Sequence, residues 1–108
     1  MPLTVKPHAW LSLPPNTDAP SGYGVGVAVA GRIKQSNPTE AVASFGDPAG
    51  SIQRPFMAVV DEEDAGKHVM NGLVEWKGRR FSIEMPPKVN DATAECSHAL
   101  VMLAELVD

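Results

Sequence analysis

The chain is short of cysteine, of aromatic residues and of charge. Cys96 is its single cysteine in 108 residues, so no internal disulfide forms and the fold does not require an oxidising compartment. One thiol cannot build a cysteine metal knuckle, and alone it reads as a small buried apolar residue. Charged residues make up 20% of the chain and the formal net charge is −4, which excludes a global attraction to nucleic acid or to an anionic membrane. No apolar run approaches the roughly 20 residues that span a bilayer, and the N-terminus has neither the basic region nor the apolar stretch of a secretory signal. The expectation is a soluble, acidic protein made in a reducing cytoplasm, with no membrane partner.

Turn-forming residues are abundant instead. Ten prolines and nine glycines imply many turns and short elements. An apolar share of 44% is ordinary for a folded globular chain. The length suits one domain, 1–108, with a modest core.

The clearest local signal is Leu73 to Met85, LVEWKGRRFSIEM. Val74 and Trp76 precede Lys77-Gly78, and Phe81, Ile83 and Met85 follow at period two, which predicts a β-hairpin turning at Lys77-Gly78. That register sets Val74 opposite Phe81 and Glu75 opposite Arg80, an attractive cross-strand pair. Upstream, Ala9–Leu13 reads as a strand stopped by Pro14-Pro15. From Tyr23 to Ala30, large residues alternate with Gly or Ala, which predicts a strand whose small face lies close to another backbone. Its GxG is not a dinucleotide loop, because no βαβ unit surrounds it. Residues 31–53 are dominated by turn chemistry and read as one long loop, with a short strand at Ala41–Phe45. Phe56–Val60 is a continuous apolar run, as in a strand covered on both faces. Asp61 then caps a short helix near 62–69, whose first-turn carboxylates suit the helix dipole.

The segment 92–107 reads two ways. Ala92, Cys96, Leu100, Leu103 and Val107 form a helical stripe, whereas Ser97–Leu106 as a strand would complete a sheet beside the hairpin; sheet completion favours the strand. The fold class is therefore mainly β, a small antiparallel β-barrel or sandwich, with a flexible N-terminal arm at 1–7.

No chemistry-bearing motif stands out. The acids Asp61 to Asp64 lack the alternate spacing and turn glycine of a Ca²⁺ loop. His8, His68 and His98 show no paired spacing for a metal. Ser97 and His98 are sequence neighbours, so their side chains diverge on a strand. Neither a catalytic residue, a metal nor a cofactor is expected. The one local charge feature is the basic cluster Lys77, Arg79 and Arg80, with Lys88 nearby and Trp76 and Phe81 interleaved. This pattern serves oligonucleotide-binding barrels and equally the solvated tip of a hairpin.

Taken in order, an apolar strand ending in acids (FMAVVDEED), a short link, a glycine-led hairpin (NGLVEWKGRRFSIEM) and a last apolar strand (HALVMLAEL) resemble the small head–tail joining proteins of tailed bacteriophages, the tail-attachment or stopper family. Val74, Gly78, Phe81 and Ile83 fall on that family's VxxxGxxYxV hairpin spacing, with Gly72 leading. The resemblance covers about half the chain, from Phe56 onward. It implies a virion protein, assembled in the host cytoplasm, that forms a homo-oligomeric ring between portal and tail. DNA would pass through the ring without sequence-specific binding. It also implies an interface built from Trp76, Lys77, Arg79 and Arg80, with Asp47 in the long loop and Arg54 at its end reaching neighbouring proteins. Three alternatives remain open at this point: a capsid decoration protein, a β-barrel binding single-stranded nucleic acid, and a binder of a host protein anchored at Trp76 and Arg79.

Overall fold

The computed structural model describes residues 6–90 and 98–106. In chain order the elements are β1 (His8–Leu13), β2 (Val27–Gln35), α1 (Pro38–Phe45), a 3-10 helix (Asp47–Ser51), β3 (Pro55–Asp61), a second 3-10 helix (Glu62–Lys67), β4 (Leu73–Trp76), β5 (Arg79–Ile83), β6 (Lys88–Asn90) and β7 (His98–Glu105). The strands are ordered β3-β2-β1-β4-β5-β7, and a further β3–β7 pairing closes them into a six-stranded barrel, with β6 added alongside β7. Closure pairs the edges that an open sheet would leave exposed. The barrel, not the sandwich, is thus the form adopted.

Every pairing is antiparallel. Strands β1, β3 and β5 therefore run one way and β2, β4 and β7 the other. This fixes two poles. At one, the cap pole, β3 ends and the acidic 3-10 helix begins. At the other, the hairpin pole, β4 turns into β5 through Lys77-Gly78.

The interior follows from period-two alternation. Phe56, Ala58 and Val60 of β3 meet Ala99, Val101 and Leu103 of β7, with Trp10, Val29, Ile33, Val74, Phe81 and Ile83 completing the core. Burying each large apolar side chain contributes roughly 1.5–3 kcal/mol. The closest backbone approach is at Gly31. A Cβ there would stand 2.3 Å from the Val59 carbonyl oxygen and 3.0 Å from the Trp10 ring, so glycine lets β2 lie against β3 beneath the indole. The hairpin has the expected register, Val74 with Phe81 and Glu75 with Arg80. Lys77 and Gly78 both have positive φ, 51° and 74°, as a two-residue type I′ turn requires.

Other expectations need correction. The strand expected over Tyr23–Ala30 begins only at Val27 and runs on to Gln35. Before it, the Gly24 N–H donates to the Pro14 carbonyl and Tyr23 makes a single bridge with Pro15, so this stretch follows the proline segment instead of entering the ladder. Residues 31–53 are not a long loop, and Ala41–Phe45 is helical. Asn37 caps α1 by accepting the Glu40 N–H at 2.8 Å and donating to the Glu40 carboxylate at 3.3 Å. Pro38 sits at the first helical position, where its missing N–H costs nothing. Ala41 and Ala49 from this segment pack on Met102, on the outer side of β7, with Phe45, Ile52 and Met85 around them. β7 is thereby covered on both faces.

The short helix expected near 62–69 is present as the second 3-10 helix, Glu62–Lys67. Asp61 stands at its N-cap position without a side-chain cap bond, because its carboxylate pairs with Lys6 instead. That pair ties down the end of the expected flexible arm; residues 1–5 lie outside the described residues. β5 ends at Ile83, although the Glu84 N–H still continues the β5–β7 register by donating to the Met102 carbonyl; Met85, expected on the inward face, packs with the outer cluster. Of the segment 92–107, His98–Glu105 is a strand. Cys96 and the Ser97–His98 pairing fall at least partly outside the described residues. No helix among the described residues is long and apolar enough to cross a membrane.

Candidate interface at the hairpin pole

Closure of the barrel brings β1, β3, β5 and β7 together around the hairpin tip. Trp76 is half-buried. Its ring lies 4.8 Å from the His8 ring and 6.4 Å from Phe81, and the Lys77 ammonium stands 5.0 Å from its centroid. His8 is fixed because its Nδ1 accepts the Ile33 N–H at 3.0 Å, which places the proton of a neutral ring on Nε2.

Arg79 is committed to the fold. Its Nε donates to Glu105 Oε2 at 2.6 Å, and its guanidinium carbon lies 4.9 Å from the Phe56 centroid and 5.7 Å from that of Phe81. The hydrogen bond from Arg79 holds the Glu105 carboxyl below the usual carboxylate range, with the positive charge of Arg54 adding to it. The same bond raises Arg79. Arg54 joins this group through its carbonyl, which accepts the Glu105 N–H at 3.1 Å.

Lys77 and Arg80 are exposed, and no ion pair holds either among the described residues. The expected attraction between Glu75 and Arg80 is thus present as strand register but not as a formed ion pair. Leu11, Glu75, Trp76, Lys77, Gly78, Arg79 and Arg80 line an open depression of about 320 Å³.

Of the six residues expected at an interface, Trp76, Lys77, Arg79 and Arg80 share this pole and Arg54 adjoins them through Glu105. Asp47 does not join them. It is exposed at the start of the first 3-10 helix, in the segment packed on Met102. Sequence reasoning missed His8, Leu11, Phe56 and Glu105. His8 was accessible, since His8, Trp10 and Ser12 share one face of β1 by period two. Glu105 was not, because its pairing depends on how the last strand closes the barrel.

The cap pole is built differently. The Trp10 indole N–H donates to His68 Nε2 at 3.1 Å, which leaves His68 Nδ1 to donate to the Asp64 carbonyl at 3.0 Å. Ser12 Oγ donates to the Lys67 carbonyl at 2.7 Å, and Lys67 pairs with Asp64 at 2.6 Å. Burial pushes the His68 imidazole below its ordinary pKa, against the smaller opposing effect of the Asp64 carbonyl. The described residues contain no group of three or more His, Cys, Asp or Glu placed to hold a metal.

Chemically, the hairpin pole offers two cations that no ion pair engages among the described residues, Lys77 over the half-exposed Trp76 indole and Arg80 beside it, next to exposed Leu11. That combination suits an anionic, partly apolar protein surface. No protein-family model, curated protein or solved structure matches the chain.

Proposed function

We propose that the protein is a virion structural subunit that joins head to tail, as one member of a homo-oligomeric ring seated between portal and tail proteins. The observation that carries this reading is the hairpin. Val74, Phe81 and Ile83 are fully buried in the barrel, Gly78 takes the turn with φ 74°, and Gly72 is buried at the entry to β4. The resemblance makes Val74 a hydrophobic position and gives the turn to Gly78, and the hairpin supports the reading at those two positions.

On this reading the protein works by assembly, without catalysis or cofactor. The closed barrel is a rigid support, and each copy presents the same surfaces to its neighbours. The segment around α1 and the hairpin pole face adjoining proteins. The excess of acids over bases keeps DNA phosphates from adhering, so DNA moves through the ring without sequence-specific contact.

Native mass spectrometry of the purified chain, with electron microscopy of phage necks, tests the proposal. The expected result is a closed multimer that binds portal or tail proteins. A monomer at all concentrations that binds neither overturns it. Binding to tailless capsids alone would point to a decoration role. Salt-dependent binding of single-stranded oligonucleotides would point to a nucleic-acid barrel, a reading that the engagement of Arg79 with Glu105 makes less favourable.

A further inference from the structure

The two poles carry complementary surfaces, and the strand directions put them at opposite ends of one barrel. At the hairpin pole, Lys77 and Arg80 are exposed. Beside them lie two exposed apolar side chains, Leu11 at 43% and Leu106 at 40%. Leu106 is fastened there by its N–H, which donates to the Arg80 carbonyl at 2.8 Å. At the cap pole, Glu62 and Glu63 are exposed on the second 3-10 helix. Val69 and Met70 follow, exposed at 45% and 44%. Among the described residues no ion pair engages Lys77, Arg80, Glu62 or Glu63, whereas the neighbouring charges Asp61, Asp64 and Arg79 are all paired within the chain.

We infer that the occupant of the hairpin-pole depression is the cap pole of a second copy of this chain. Glu62 and Glu63 of one copy face Lys77 and Arg80 of the next, and Val69 and Met70 cover the floor formed by Leu11 and Trp76. Each pole sets an apolar pair beside two exposed charges of like sign that no ion pair engages among the described residues, and at the hairpin pole Lys77 and Arg80 outnumber the single exposed acid of the depression, Glu75. The signs are opposite, so the contact attracts, whereas two like poles repel. Because the two surfaces differ, the contact is heterologous and closes into a ring when the rotation per subunit allows. This inference rests on the ring proposed above and identifies the surfaces that would form it.

The test is a charge swap read by sedimentation velocity at low and high salt. One variant carries Lys77→Glu with Arg80→Glu, the other Glu62→Lys with Glu63→Lys. All four positions are exposed, and circular dichroism with tryptophan fluorescence confirms that each variant folds. The wild-type chain assembles, and more weakly as salt shortens the Debye length below about 8 Å. Each variant alone carries one sign of charge at all four swapped positions and loses affinity by about tenfold or more. An equimolar mixture of the two regains assembly, as does the chain with all four substitutions. If the wild type assembles and either variant assembles equally well, or if the mixture stays monomeric, the pole-to-pole contact is wrong while the ring survives. A monomeric wild type overturns both.

Discussion

Both poles of the barrel pair a tryptophan with a histidine, to opposite ends. At the cap pole the Trp10 and His68 rings are buried and joined by a hydrogen bond. At the hairpin pole Trp76 and His8 are half-exposed and meet ring to ring, tilted by 58°. The first pair seals the core, because each polar nitrogen has a fixed partner and water is excluded. The second leaves indole surface open at the edge of a cationic rim. The residue types are the same; burial decides whether they hold the fold or present a surface.

The sharpest way to break this contrast is to remove each indole. Trp10→Ala takes away a large buried ring and leaves the His68 Nε2 acceptor without its donor, so it costs about 3–5 kcal/mol, enough to unfold a marginal domain. Trp76→Ala removes a ring that water already reaches and costs about 1–2 kcal/mol. Urea unfolding of the two variants measures the difference, and equal losses would show that the hairpin pole is as structural as the cap.

Acid sharpens the contrast further. Burial holds the folded-state pKa of His68 below the ordinary 6.5, so in the window between the two values the unfolded chain binds a proton that the folded chain does not. Stability is therefore full above pH 6.5, falls as pH drops below it at up to about 1.4 kcal/mol per unit, and levels off below the folded value. Protonation would also put an N–H where the Trp10 donor requires an acceptor. His68→Gln removes this slope when unfolding midpoints are compared at pH 7.5 and 5.5. Glu105 does not confuse the measurement. Its pKa is lowered from 4.5, so its contribution is present above that value and is lost only as pH falls further.

How readily a region could be read from sequence tracked how local its cause was. The hairpin declared itself because alternation and a turn lie within a dozen residues. β3 was readable as a strand covered on both faces, and β7 less so. Its inward Ala99, Val101 and Leu103 are interleaved with Met102, which is buried beneath α1, so the run has no polar alternation and resembles a helical stripe. α1 was missed although Asn37-Pro38-Thr39-Glu40 spells a capping box with proline at the first helical position. Its eight residues are too few to show a helical period among so many turn formers. The cationic cluster was visible, but its division into an ion-paired Arg79 and a Lys77 and Arg80 outside any ion pair among the described residues was not. That division depends on Glu105 and Phe56, which only barrel closure brings near.

The same division supplies the smallest effect and the finest test of the contrast. Lys77→Ala with Arg80→Ala removes charges that no ion pair uses among the described residues, together with one exposed cation–π contact to Trp76, so unfolding stability falls by no more than about 1 kcal/mol. Arg79→Ala, one position away, uncovers the Phe56 ring and strands the Glu105 carboxylate, so its urea midpoint falls below that of the double variant. Assembly behaves in the opposite order. The double variant loses self-association by sedimentation while remaining folded, whereas Arg79→Ala keeps whatever association its reduced stability permits. If the double variant unfolds as readily as Arg79→Ala, Lys77 and Arg80 belong to the fold, and the hairpin pole has no charges to spare for a neighbour.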